Sequence, residues 1–322
     1  MLTIKPIKLD TTTLSITSNL DADAFYDKYG NYYPTIAAWA IGTTFTIGQL
    51  CHYQTRVYQS VFNGSNVGFN PVTGNTNLST GLNYWVDLGS LNKFGAFDTT
   101  SNTQSIGLVT DTSITFSFTP TSTFTAAAFT NLDADSVDIK VLDPADGNNV
   151  IYSKTKETVT RSFTSWYEWV TTPLTSSTNM YFDAIPPYQN KTFVISVNKT
   201  SAPKLGGIIL GRLLDIGQLE LGARVPSQDF SVVNTDEFGN TKLVKRNVFS
   251  GIDGSLFCEA IQANTIRELN KSLRGVSTVW IGVTDADNYY FNSLFIMGVA
   301  TTFEASIDYP TAFRVKLVVK EI

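Results

Sequence analysis

The chain has 322 residues and a formal net charge of −5; hydrophobic residues make up 43% of it and charged residues only 16%. That length can hold two or three domains with real cores. A charged fraction below the roughly 25% of ordinary soluble domains points to a β-rich protein whose faces are covered by Thr, Ser and Asn. No basic patch marks a nucleic-acid reader, and no apolar run approaches the ~18 residues of a membrane span. The first residues, Met1-Leu2-Thr3-Ile4-Lys5-Pro6-Ile7, carry no apolar leader core. The expectation is therefore synthesis in the cytosol without a signal peptide, with no nucleic-acid partner and no membrane insertion.

Residues 1–33 read as an arm. Leu14-Ser15-Ile16-Thr17 has the makings of a strand. Phe25, Tyr26, Tyr29, Tyr32 and Tyr33 crowd a segment broken by Gly30 and closed by Pro34. Gly and Pro at those places prevent a stable amphipathic helix. Rings left in water would form the kind of patch that marks an interaction site. The arm is expected to dock on another protein or a sister copy; the alternative is that it packs back on its own neighbour.

Residues 34–90 read as a small β-module. Short β-like runs, Phe45-Thr46-Ile47 and Arg56-Val57-Tyr58-Gln59-Ser60 among them, alternate with Gly-centred turns, and Trp39 and Trp85 bracket the segment. The stretch 63–83, with four glycines, six asparagines and Pro71, is a loop. A module of this size cannot bury all of Trp39, Tyr53, Tyr58, Phe62, Tyr84 and Trp85. Tyr58 and Phe62 share a face if the strand runs on to Phe62. They are the candidates for a flat ligand platform, with Trp85 and Trp39 as its edge or floor; the alternative makes the two tryptophans core.

Residues 91–322 read as a β-sandwich body, with a division near 203 as the alternative. Ile114-Thr115-Phe116-Ser117-Phe118 alternates cleanly, Phe124 to Phe129 is a buried strand, and Val137 to Asp143 turns back through Val150 to Ser153. Turn signals every 8 to 12 residues, roughly, favour a sandwich or jelly roll. Trp166 to Val170 and Thr192 to Val197 continue the pattern. One helix is expected over residues 255–274, with Gly275 as its cap, followed by strands at 276–283, 290–299 and 313–319. About 15 strands and one helix make the class all-β.

The chemistry is sparse. Gly206-Gly207-Ile208-Ile209-Leu210-Gly211 lacks the following helix that a phosphate cradle needs. Asp133, Asp135 and Asp138 fall in a strand–turn context, and Asp285-Ala286-Asp287-Asn288 lacks the Gly and Glu of a calcium loop, so it reads as an Asx-capped turn. His52 is the one imidazole and makes no triad by spacing. Cys51 and Cys258 read as free thiols, and with a single His and no Cys-x-x-Cys no metal or cofactor is expected. Lys242, Lys245 and Arg246 suit a strand edge better than a phosphate site.

Two resemblances follow from these motifs. Trp39, Phe45, Gly48, Leu50, His52, Tyr58, Trp85 and Leu88 are similar to the small chitin-binding modules of bacterial chitinases. Where those modules carry Trp after the Tyr strand, this chain has Val61-Phe62-Asn63. The larger resemblance is to bacteriophage tail proteins. Val57-Tyr58-Gln59-Ser60, Tyr84-Trp85-Val86-Asp87-Leu88-Gly89 and Asn92-Lys93-Phe94-Gly95-Ala96-Phe97-Asp98 look like the join there between a carbohydrate-binding-like module and a β-sandwich. Leu214-Asp215-Ile216-Gly217 and Asp236-Glu237-Phe238-Gly239-Asn240 look like it too. The resemblance implies a non-enzymatic virion protein of a tail or tail tip. Its partners would be other tail or baseplate proteins, a sister copy of the chain, and host surface glycan. The alternative is a carbohydrate-active enzyme or free lectin with a sugar-targeting module.

Overall fold

The computed structural model describes the chain except Lys8, residues 10–13, 77–80, Thr99, 101–102, 160–164, 172–175, Asp236, Asn247 and Asp308. Asn77 of the polar loop and Asp236 of the Asp236–Asn240 motif thus lie outside the described residues. Strands hold 46% of the chain and helices 10%, so the class is all-β. The ladders are antiparallel and form two main sheets and several small ones, with many of the neighbouring strands far apart in sequence. Among the described residues the strands number 26, well above the sequence expectation, because many are two-residue pairings in turn-rich segments.

The first half of the body is a sandwich. Strands Ser113–Phe118, Ser136–Asp143 and Thr192–Asn198 sit in a five-stranded sheet. Their alternate residues, Phe116, Ile139 and Ile195 among them, face Phe129, Phe182 and Leu210 of the larger sheet in one core. Ala126–Thr130 is buried along its whole length because it lies inside that sheet with both faces covered. The second half of the ten-stranded sheet curls over the helix Ala263–Leu273. Ile266, Leu269 and Leu273 pack there against Leu256, Trp280 and Val315.

The beginning of the chain joins the two halves. Leu2–Pro6 pairs with Gly207–Asp215 on one side and Thr278–Ile281 on the other. Ile4 is fully buried. Gly211 permits the crossing, since a Cβ there would lie 2.0 Å from the Lys5 carbonyl oxygen. That close approach, not a phosphate, is what the glycine serves. The same sheet runs unbroken across residue 203.

This corrects the docking arm. Residues 2–6 are an interior strand, because a β-run of Leu-Thr-Ile completes an otherwise split sheet. The aromatic part folds back as the hairpin Phe25–Tyr26 with Tyr32–Tyr33. It buries Phe25 against Ile36, Val57 and Leu91, which is the alternative named for that segment. Between these two pieces Thr17–Ser18 adds a short edge to the five-stranded sheet.

Two further expectations change. Trp166–Thr171 is a one-and-a-half-turn helix rather than a strand. It pairs with no strand among the described residues, and its amides close locally, Trp169 N–H donating to the Ser165 carbonyl at 3.1 Å. The helix expected over 255–274 begins late: Val248–Glu259 is a strand. Leu256 and Cys258 alternate into the core opposite Val315 and Phe313, so period two wins over the helical reading there. A reciprocal capping box between Glu259 and Gln262 then starts the helical turn. Gly275 ends the helix as expected, at φ +71°, the left-handed conformation that glycine adopts freely. Among the described residues no helix is long and apolar enough to cross a membrane.

Candidate functional site

The module is a three-stranded sheet, Leu50–Tyr53, Arg56–Ser60 and Trp85–Ser90, with the small pair Thr44–Phe45 and Asn66–Val67 beside it. Gln54, at φ +56°, turns the first hairpin. Both faces of the sheet are covered. Cys51, Tyr58 and Trp85 pack with Phe45 and Tyr84 on one side. Val57 packs with Phe25, Ile36 and Leu91 on the other.

The structure brings the four sequence candidates into one cluster but does not make them a platform. Trp85 is 1% exposed and Tyr58 6%; Trp39 and Phe62 are half-buried at the cluster's margin. The reason is the second layer. The strand ends at Ser60, and the loop that follows folds over the sheet instead of leaving its rings bare. Phe69 lies flat on Tyr84, centroids 3.8 Å apart, and Phe62 tilts against the same ring at 4.9 Å. Trp39 meets Tyr53 edge-on. The rings are spent on holding the module together. His52 faces a neighbour, its Nε2 3.5 Å from Asp23 Oδ1, and so ties residues 21–24 to the module.

An open site lies instead where the module meets the body. A cleft of about 490 Å³ is bounded by the Phe25–Tyr26 strand, the edge strand Trp85–Ser90 and the turn Asn92–Phe97, a volume in the range of small-ligand sites. A bulge in the edge strand sets Gly89 opposite Val57 and Asp87 opposite Tyr58. Asp87 then reaches Arg56 diagonally across the ladder. Arg56 Nε donates to Asp87 Oδ2 at 2.6 Å and Nη2 to Oδ1 at 3.0 Å, a fork geometry that fixes both groups. Gly89 N–H adds a third bond to Oδ1. The pairing raises the Arg56 pKa further above its ordinary value.

The floor is set by the Asn92–Asp98 motif. The Asn92 amide imitates a strand neighbour, donating to the Ile106 carbonyl and accepting from Ile106 N–H, both at 2.8 Å. Asp98 follows the turn and accepts from Ser90 Oγ, Thr103 Oγ1 and Thr100 N–H. Burial nevertheless pushes its carboxyl above the usual carboxylate range, against those hydrogen bonds and the Arg56 charge. Tyr26 closes one wall, its ring 4.9 Å from that of Tyr32. An aromatic wall beside a fixed guanidinium, carboxylates and amides suits a neutral ligand rich in hydroxyls.

Of these residues Asp87, Asn92 and Asp98 belong to the motifs that carry the tail resemblance, but neither they nor Tyr26 and Arg56 were candidate site residues in the sequence. The Asn-to-Asp spacing was the available signal. The Arg56–Asp87 pair was not, because it depends on the bulge. Asp285 makes an Asx turn as read, its Oδ1 accepting from Asp287 N–H; the other cluster ties distant segments instead, Asp133 pairing with Lys199 at 2.6 Å, Asp135 Oδ2 accepting from Thr200 N–H and the strand residue Asp138 accepting from Thr155 Oγ1 and the Asn198 amide. Cys51 and Cys258 are free thiols in separate cores. Among the described residues no group of three or more His, Cys, Asp or Glu is placed to hold a metal ion. No protein-family model, curated protein or solved structure matches the chain.

Proposed function

We propose that the chain is a structural component of a phage tail or tail tip, one that assembles with other tail proteins and touches host surface glycan through the cleft between module and body. One observation carries the assembly part. Large apolar side chains stand in water on three separate projections: Trp166 and Trp169 on the short helix, Val233 and Leu243 on a hairpin, Tyr289 and Tyr290 on a loop. Exposed apolar surface of this extent marks contact with partners. The tail resemblance of the 57–60, 84–89 and 92–98 motifs agrees, and residues of the last two, Asp87 and Asp98 among them, line the cleft. The deciding experiment tags this chain in the phage that encodes it and locates the tag by electron microscopy. Label at the tail is expected. Label on the capsid, or none on purified particles, overturns the reading.

A second reading, a carbohydrate-active enzyme, is favoured by one feature. The cleft holds two carboxylates, Asp87 tied to Arg56 and Asp98 with a raised pKa, and an unlike pair of acids is what glycoside hydrolysis uses. Release of reducing ends from host polysaccharide, abolished by Asp98→Asn, would favour the enzyme; unaltered polysaccharide favours the structural reading.

A further inference from the structure

Between Val225 and Ser250 the chain leaves the body as a bare hairpin. Its strands, Val232–Thr235 and Thr241–Val244, pair only with each other. A two-stranded ribbon alone in water is marginally stable at best, and this one has neither face covered. Val233 and Leu243 lie directly opposite one another and are 61% and 56% exposed. Lys242, Lys245 and Arg246 are exposed along the return strand. None of the three is in an ion pair among the described residues. The long edge strand Asn149–Glu157 is treated differently. It turns Lys154 and Lys156 inward, onto Asp183 Oδ1 and the Tyr181 carbonyl, a device that blocks further pairing. The hairpin carries no such guard.

The complement stands on the same chain. Residues 284–290 form a fully exposed loop carrying Asp285 and Asp287, with Tyr289 81% and Tyr290 68% exposed. This loop and the root of the hairpin leave the same end of the large sheet. Phe295–Ser306, Ala312–Glu321 and Val248–Glu259 lie side by side, with Gly298 opposite Glu321 and Gly251 opposite Lys320. Two strand spacings separate the strands from which they leave, Phe295–Ser306 and Val248–Glu259, about 10 Å. From root to tip the hairpin reaches about 26 Å.

We propose that two copies of the chain pair about a two-fold axis at this sheet end, each hairpin crossing onto the other copy's 284–290 loop. The cations at 242, 245 and 246 meet Asp285 and Asp287. Val233 and Leu243 cover Tyr289 and Tyr290. Because both features share one end, the exchange is reciprocal and closes, as a self-complementary interface must. The inference rests on the assembly reading above and names one partner for it, a second copy.

The test uses the isolated full chain and sedimentation equilibrium. Wild type is expected to be a dimer. Lys242→Glu/Lys245→Glu/Arg246→Glu places acids against acids, and Asp285→Lys/Asp287→Lys places cations against cations. Juxtaposed like charges cost several kcal/mol, so each variant should raise the dimer Kd at least about 100-fold. All five positions are exposed, so circular dichroism and melting should not change. Mixing the two variants makes both crossings complementary again and should restore a one-to-one heterodimer. A wild-type monomer at every concentration, a variant that still dimerises alone, or a mixture that stays monomeric overturns the proposal. A larger oligomer rebuilt by the mixture overturns the two-fold arrangement. A monomer that nonetheless enters particles leaves the assembly reading standing, whereas a charge-swappable dimer never found in particles does the reverse.

Discussion

Trp85 donates its indole N–H to the carbonyl oxygen of Phe69 at 2.8 Å, and this bond pins the long loop of the module onto its sheet. The Phe69 ring then lies on Tyr84, the residue before Trp85 in the chain. Replacing Trp85 by Ala removes a buried ring and should cost about 3–5 kcal/mol. Trp85→Phe keeps most of the burial and loses the bond; the site is part-buried, so the loss should be nearer 1 kcal/mol. Urea denaturation of the two variants against wild type checks the ranking, and equal effects would show that the hydrogen bond, not the ring, holds the loop.

Tyr58 and Phe62 part company in the same experiment. Tyr58 is buried beneath the sheet's second layer, and Tyr58→Ala should cost about 3–5 kcal/mol. Phe62 is half-buried at the margin, so Phe62→Ala should cost clearly less. If Tyr58→Ala instead melts like wild type, the ring is not core and the platform returns.

The division between what was legible and what was not follows the range of the interactions. Period-two runs such as Ile114–Phe118 announced their strands because one face packs and the other does not. Gly275 announced the end of its helix because few other residues accept that backbone angle. What failed depended on distant partners. Leu2–Pro6 is ordinary in sequence and becomes central only because strands 207–215 and 278–281 leave a slot for it. Leu256 extends the apolar stripe of Ile261, Ile266, Leu269 and Leu273 as well as it fits a strand until Val315 lies opposite. The cleft was hidden for the same reason: Arg56 and Asp87 are 31 residues apart and meet through a bulge.

Ile4 gives that slot a measurable value. It is fully buried and paired on both sides, so Ile4→Ala should destabilise the whole body by about 2–5 kcal/mol. Removing residues 1–6 should lower hydrogen-exchange protection in both neighbouring strands together. A truncated chain with an unchanged melting transition would contradict this.

Asp98 should leave a mark on the pH dependence. Burial raises its folded pKa above the unfolded value, so in the window between the two the native state binds the proton more readily. Stability therefore falls as pH rises through that window. Asp98→Asn removes the titration and can still accept from Thr100 and Thr103. The advantage of the Asn variant over wild type should grow from acid toward neutrality and then level off. Denaturant titrations across that range decide it, and a difference that shrinks as pH rises would mean Asp98 is stabilised as the anion.

The two cysteines report separately on the two parts of the chain. Cys51 lies in the module core and Cys258 under the helix Ala263–Leu273, both with no exposed surface. Burial pushes the Cys51 thiol up to about 12 and that of Cys258 to about 11. With so little thiolate and no access, neither should react with a disulfide reagent in the native state. The module's cores are small, five and four buried side chains, whereas Cys258 belongs to a larger cluster that spans several strands and the helix. Less buried apolar area means less to hold the segment closed. Under increasing urea Cys51 should therefore label first, with Cys258 following at higher denaturant, mapped by mass spectrometry of the modified peptides. Simultaneous labelling of both would mean that Phe94, which packs against both the module's core and the body's, makes the chain unfold as one unit.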